Sequence, residues 1–407
     1  MHLLFLAVVF LSLSVVAGAH LFWWYYKSPQ RTSTPAKPWP TVLWLQGGPV
    51  CAAASSPIAM ICSCLQQLWP DRCRGNHRLV ALLAWLGRAR RASGSATSKL
   101  EIGPLDVSLQ PRNSTWLQKA DLIFVDNPVG VGYSYVENDT LLVTTDWEQA
   151  ADATTLLKAL VKEVPTLQSS PLFLVAESYG GKYAATLGAS VARAVRAGEL
   201  NITLGGVALG DSWISPEDFT LSYTPLLLSV SRLDDNAGDE ANKIADTVKE
   251  QIAAGNFTAA EGSWNDLQHF IRTRSGDVDM YNFLDGSLDS ASANTPTAGS
   301  SPSTVKAMTK YSRYLSGKDS DPNTLEGIMN GVIKEKLQII PKDLKWEGLN
   351  QAVYNALVND IMKPRIDEID ELLSYGVNVT MYNGQVPIDQ PCIALNMIGS
   401  ITQSPAS

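Results

Sequence analysis

Histidine is scarce: only His2, His20, His77 and His269 occur in 407 residues, which leaves few imidazoles for proton transfer. Basic charge is also short. With 32 Lys and Arg against 40 Asp and Glu, the net charge of −8 excludes the basic footprint of a nucleic-acid binder. It is compatible with an acidic compartment. The five cysteines are an odd number, so at least one thiol is unpaired or shared with another chain. Beyond the N-terminal stretch no apolar run is long enough to span a bilayer, and no internal repeat is visible. What remains, 45% hydrophobic and 18% charged, describes an ordinary globular protein. The length suits a core sheet carrying an inserted cap.

Residues 3–16 are apolar or Ser, and Ala17-Gly18-Ala19 supplies the small residues of a cleavage site, so residues 1–19 read as a secretory leader. No Lys or Arg precedes the apolar run. Sequons at Asn113, Asn138, Asn201, Asn256 and Asn378 fit the same route, to a secreted or to a vacuolar or lysosomal destination. Residues 50–99 differ in texture. They hold seven basic residues against one acid, Asp71, and four of the five cysteines, Cys51, Cys62, Cys64 and Cys73, while Cys392 stands apart. This window reads as an insertion. Cys62, Cys64, Cys73 and His77 resemble zinc ligands only loosely, since zinc modules usually pair two regular knuckles. No metal or other cofactor is expected.

Strands are expected at residues 21–26, 41–45, 121–125, 172–175 and 204–209, with helices at 145–164 and 181–197 between them. Thr145 with Glu148 three residues on is a capping box. This alternation predicts an α/β fold with a largely parallel sheet. The core comprises residues 20–49 and 100–215. A helical cap is expected over 216–375, with a mobile Ser/Thr/Pro-rich loop at 286–303 and helices over 304–315 and 349–375. A strand at 377–382 then opens a last core segment, 376–407.

The strongest local signal is Ala176-Glu177-Ser178-Tyr179-Gly180 at the end of an apolar strand. Small residues on both sides let the chain turn sharply from strand to helix and expose the serine oxygen, as in a nucleophile elbow. A helix-capping serine is the plainer alternative. Trp44-Leu45-Gln46-Gly47-Gly48-Pro49 ends an earlier strand, where two glycines let backbone amides approach a substrate.

These blocks, together with Asp126-Asn127-Pro128-Val129-Gly130-Val131-Gly132-Tyr133-Ser134-Tyr135 and Gly210-Asp211, resemble in order those of the serine carboxypeptidases. The likeness is greatest to the plant carboxypeptidase-like and retinoid-inducible branch. The resemblance implies an α/β-hydrolase fold with an inserted cap, peptide or protein C-termini as substrates, and release of the terminal residue through an acyl-enzyme. It implies Ser178 as nucleophile, the amides of Gly48 and Tyr179 as oxyanion hole, and Trp44, Gln46, Gly47 and Glu177 as the seat of the substrate's carboxylate. Two facing carboxyl groups do not both ionise cheaply, so Glu177 is expected to hold a proton when substrate binds, favouring acid pH. A dipole-stabilised carboxylate at a helix start is the alternative for Glu177.

The family's triad Asp follows an Asn-Gly-Gln block and its His precedes a Val-Pro-x-Asp-Gln-Pro block. Here the blocks are fused as Asn383-Gly384-Gln385-Val386-Pro387-Ile388-Asp389-Gln390-Pro391. Pro387 stands where Asp belongs and Gly384 where His belongs, so the triad Asp and His are expected to be absent. The core is then incomplete at its C-terminal edge. His269 as a replacement base and Asp389 as a replacement acid are weak alternatives. The chain therefore reads as a serine carboxypeptidase by ancestry with little activity. A non-catalytic binding protein and an acyltransferase are the competing readings.

Overall fold

The computed structural model describes residues 13–32, 34, 36–48, 102–104, 112–278, 280, 325–348, 350–384 and 386–405. Two compact units divide them, and residues 216–278 and 280 form the smaller. The larger is built on one sheet. Its strands are β1 (Leu13–Val16), β2 (Ala19–Tyr26), β3 (Thr41–Leu45), β4 (Asp121–Asp126), β5 (Tyr135–Val136), β6 (Leu172–Glu177), β7 (Leu204–Gly210) and β8 (Val379–Tyr382). The spatial order is β1-β2-β4-β3-β6-β7-β8, with β5 beside β2.

Unbroken apolar runs explain the middle of the sheet. Every residue of β3, β4 and β6 is buried, as expected of parallel strands covered on both faces. β4, β3, β6, β7 and β8 run parallel, whereas β2 runs antiparallel to β4. Alternate side chains divide between two faces. One face carries Trp24, Val42, Trp44, Phe124 and Val175 into a cluster with Trp116, Met329, Trp346, Ala394 and Ile398. Helix α1 (Asp146–Glu163) begins where Thr145 Oγ1 accepts the Glu148 amide, a cap of the expected kind. It packs on α2 (Gly180–Arg196), which lies against β6 and β7.

The smaller unit contains α3 (Pro216–Ser229), α4 (Asp235–Ala253) and α5 (Phe257–Arg274), closed around Leu227, Leu233, Ala241, Ala245, Leu267 and Ile271. Among the described residues the cap is shorter than the sequence suggests, because residues from 325 onward group with the sheet. The helix expected over 349–375 is also two, α6 (Gln351–Ile361) and α7 (Ile366–Ser374). Pro364 lies in the break, where its ring and missing N–H prevent a continuous helix. α7 packs on α2, with Leu372 against Gly188, which attaches this stretch to the core.

Two further features concern the termini. β1 pairs with β2, so the sheet uses residues assigned above to the leader; Val-Val is as good a strand former as it is a leader core. Cys392, distant in sequence from the other four cysteines, is disulfide-bonded, a pairing the sequence leaves open. The basic window, its cysteines and His77, and the 286–303 loop with the helix at 304–315, lie outside the described residues.

β8 is the last strand, and among the described residues no strand pairs with its outer side. Its residues are half-buried except Met381, which is 66% exposed. The Tyr382 ring reaches across β7 at Gly210 to β6, donating its hydroxyl to the Ala176 carbonyl at 3.0 Å. Gly210 makes room for that ring: an added Cβ would lie 2.6 Å from it. Gly210→Ala is therefore expected to cost about 1–3 kcal/mol. In a Tyr382→Ala background the same change should cost almost nothing, a coupling that thermal or urea unfolding of the double-mutant cycle measures. Additive losses would show that the ring does not fix β8.

Candidate active site

The end of β6 turns into α2 within a few residues. Ser178 sits at the turn with φ of +54°, in the left-handed region that few residues other than glycine adopt without cost. Its backbone is tied down on both sides. The Ser178 amide donates to the Gly210 carbonyl at 2.8 Å, and its carbonyl accepts from the amides of Trp213 at 2.9 Å and Gly181 at 3.0 Å. Glycines supply the clearance. A Cβ on Gly180 would lie 2.2 Å from the Leu45 carbonyl oxygen, and one on Gly47 would lie 2.6 Å from Ser178 Cβ. The loop after β3 thus meets the nucleophile turn backbone to backbone.

The expected carboxylate-binding residues cluster there. Trp44 is fully buried edge-on against Trp116, and its indole N–H donates to Gln46 Oε1 at 3.0 Å, fixing which way the amide faces. Gln46 and Glu177 are both buried, Glu177 as the last residue of β6. Gly48 follows Gly47 with φ of +77°, and Tyr179 follows Ser178. Ser178 itself is half-exposed. All five sequon asparagines are exposed.

No described side chain hydrogen-bonds the Ser178 hydroxyl. His20 is the one described histidine in the same unit. It stacks on Tyr135 with ring centroids 4.4 Å apart, on β2. Three strand spacings separate β2 from β6, about 14 Å, far beyond a hydrogen bond. His269 lies exposed on α5, in the smaller unit. Gly384 and Pro387, expected from the fused sequence blocks in place of the family's His and Asp, come just after β8, and Asp389 ends a short helical turn, Val386–Asp389. His2 and His77 lie outside the described residues.

Beneath the turn is a feature the motif reading missed. Lys182, Asp146, Asp360 and Arg365 form a buried cluster of two carboxylates and two cations. Lys182 Nζ reaches Asp146 Oδ2 at 3.3 Å and the Ile361 carbonyl at 3.0 Å, and also bonds the Asp360 carbonyl. Arg365 donates to Asp146 Oδ2 at 2.9 Å and to Asp360 Oδ2. Tyr179 completes the link, its hydroxyl donating to Asp146 Oδ1 at 3.0 Å. Burial, helped by the Asp146 charge, holds the Tyr179 phenol well above its ordinary pKa, so it remains a donor. Burial raises the Asp360 carboxyl too, but Arg365 and Lys182 outweigh it and keep it ionised below its usual range. The Trp213 indole shares the Ile361 carbonyl with Lys182, closing the cluster back onto the Ser178 segment. One sequence signal was available: Lys182 interrupts a buried face of Gly, Ala and Leu on α2.

Asp211 follows β7 as Ser178 follows β6, also with positive φ, +41°. It is solvent-exposed, yet partly walled in, which raises its carboxyl above the ordinary value against the Gly384 amide that hydrogen-bonds it.

The chain matches known proteins in sequence and in fold. A family profile described as serine carboxypeptidase matches residues 9–61 and 91–400, and the unmatched residues between fall inside the basic window. Serine carboxypeptidase-like 51 of Arabidopsis thaliana is 42% identical over 458 aligned positions, covering 95% of this chain and 90% of that protein. The retinoid-inducible serine carboxypeptidase of Mus musculus is 36% identical, covering 92% of this chain and 73% of its own length. Kex1(delta)p, a prohormone-processing carboxypeptidase from Saccharomyces cerevisiae, shares the fold with a TM-score of 0.60 at 20% identity, over 94% of this chain and 72% of its own.

Lys182→Met should destabilise the chain by about 3–5 kcal/mol, because it leaves buried acids under-compensated. Arg193→Ala, which breaks the exposed pair with Glu371, should cost about 1 kcal/mol or less. Urea unfolding of both variants reads the contrast, and equal losses would contradict it.

Proposed function

The chain belongs to the serine carboxypeptidase family, and we propose that it retains the family's seat for peptide C-termini while lacking the base that would make Ser178 a fast nucleophile. Its α/β-hydrolase sheet is the family's scaffold, and no described helix is long and apolar enough to cross a membrane. The carrying observation is a serine in a nucleophile elbow whose hydroxyl hydrogen-bonds no described side chain. The fused Asn383-to-Pro391 stretch supports the reading. So does the plant relative, whose 458 aligned positions exceed the 407 residues of this chain, so that it carries residues for which this chain has no counterpart.

In an intact family member, the serine oxygen attacks the terminal peptide carbonyl as an imidazole takes its proton, and two amides hold the developing oxyanion. In this chain, Tyr179 and Gly48 would hold that oxyanion. Gln46, oriented by Trp44, and Glu177 would hold the substrate's carboxylate with Gly47 giving access, and acid pH would favour binding because two carboxyl groups face each other. Without the imidazole, binding remains and turnover falls by several orders of magnitude. The leader and sequons favour a secretory route, with carbohydrate at Asn113, Asn138, Asn201, Asn256 and Asn378.

Two measurements test this. A fluorophosphonate should fail to label Ser178 at rates typical of serine hydrolases, whereas a chain given the relative's intervening block between Gln385 and Val386 should be labelled. Calorimetry at acid pH should show binding of a peptide with a free C-terminus and not of its amide, with Gln46→Ala weakening it. Rapid labelling of the native chain would mean that a base serves Ser178 after all.

A further inference from the structure

We infer that Asp211 makes the site favour peptides with a cationic side chain at the residue before the C-terminal one; this rests on the reading of the site as a seat for peptide C-termini. Three neighbouring strands carry the argument. β3, β6 and β7 lie side by side, and at their carboxyl ends stand Gln46 and Gly47, then Ser178, then Asp211. Ligands of open α/β sheets bind outside those ends. The Glu177–Gly210 register puts Asp211 beside Ser178, about one strand spacing of 5 Å away.

A bound peptide then has a direction. Its terminal carboxylate lies toward β3, with Trp44, Gln46 and Gly47, and the carbonyl next to the terminal residue lies over Ser178. The preceding residue, whose carbonyl that is, extends over β7. An extended residue advances about 3.3 Å, so each successive part of the ligand falls close to the next strand. Asp211 is the charged side chain at that third position.

Its surroundings leave the charge available to a ligand. The Asp211 amide donates to the Tyr382 carbonyl at 3.2 Å, and the 211–213 segment is fastened to the elbow through the Trp213-to-Ser178 bond. The carboxylate is exposed and takes one amide, from Gly384. Among the described residues no Lys, Arg or His forms an ion pair with it. The left-handed backbone alone does not require an acid, because Asn is equally at home there. A lysine or arginine side chain over β7 meets a carboxylate with no competing cation, while a glutamate there meets a like charge.

The test uses the full chain and peptides of one sequence labelled at the N-terminus, varied to Lys, Leu or Glu at the penultimate position. Each is made with a free and with an amidated C-terminus, and titrated at low salt. The Lys peptide should bind about three- to fivefold tighter than the Leu peptide, with the Glu peptide weakest, and the differences should shrink in high salt. Asp211→Asn, which preserves shape, should abolish the ranking; Asp343→Asn, at an exposed loop acid, should preserve it. Free-acid peptides that bind alike whatever the penultimate residue, while amides do not bind, would overturn this inference and leave the seat for C-termini standing. A Lys preference that survives Asp211→Asn would also overturn it. Equal behaviour of acids and amides would sink both.

Discussion

Everything in the site follows from one backbone constraint: the chain reverses from a buried strand into a helix through a serine held in a left-handed conformation. That conformation costs of order 1–3 kcal/mol, and it persists because its surroundings over-determine it. Hydrogen bonds to and from the 210–213 segment fix both sides of the Ser178 peptide units, and the missing side chains of Gly47 and Gly180 let neighbouring backbones press in. A Cβ on Gly180 would act on the serine through neighbouring backbone alone, whereas one on Gly47 would also crowd the serine oxygen, at 3.2 Å.

The buried ions beneath it serve the same end. Lys182 on α2 grips the last carbonyls of α6, and Arg365 just before α7 grips Asp146 at the start of α1. Three stretches far apart in sequence, around Asp146, Lys182 and Asp360 to Arg365, are therefore registered against the turn. Apolar residues of similar volume would often be as stable in such a place, so the gain from a neutral ionic cluster is geometric. Each partner satisfies only a matching arrangement of the others.

The fold was largely legible in sequence because its middle strands are unbroken apolar runs and its first long helix has a marked cap. The elbow was legible for a similar reason: strand, serine and glycines are local in sequence. What escaped was non-local. Asp360 and Arg365 look like surface residues of an amphipathic helical stretch until Lys182 and Asp146 are brought beside them. The break at Pro364 was overlooked because apolar periodicity ran through it, and Leu13–Val16 satisfied a leader and a strand equally well. Asp211 was seen only as part of a block, since its neighbourhood with Ser178 comes from strand pairing.

The sheet's final strand carries a last consequence. Among the described residues no strand pairs with the outer side of Val379–Tyr382, and an open sheet edge of this kind can template a strand of another chain and seed self-association. Asn378, the residue just before it, is an exposed sequon. A branched sugar there would overhang this open rim and shield it sterically, so the same polypeptide made without sugar should be the one that clumps.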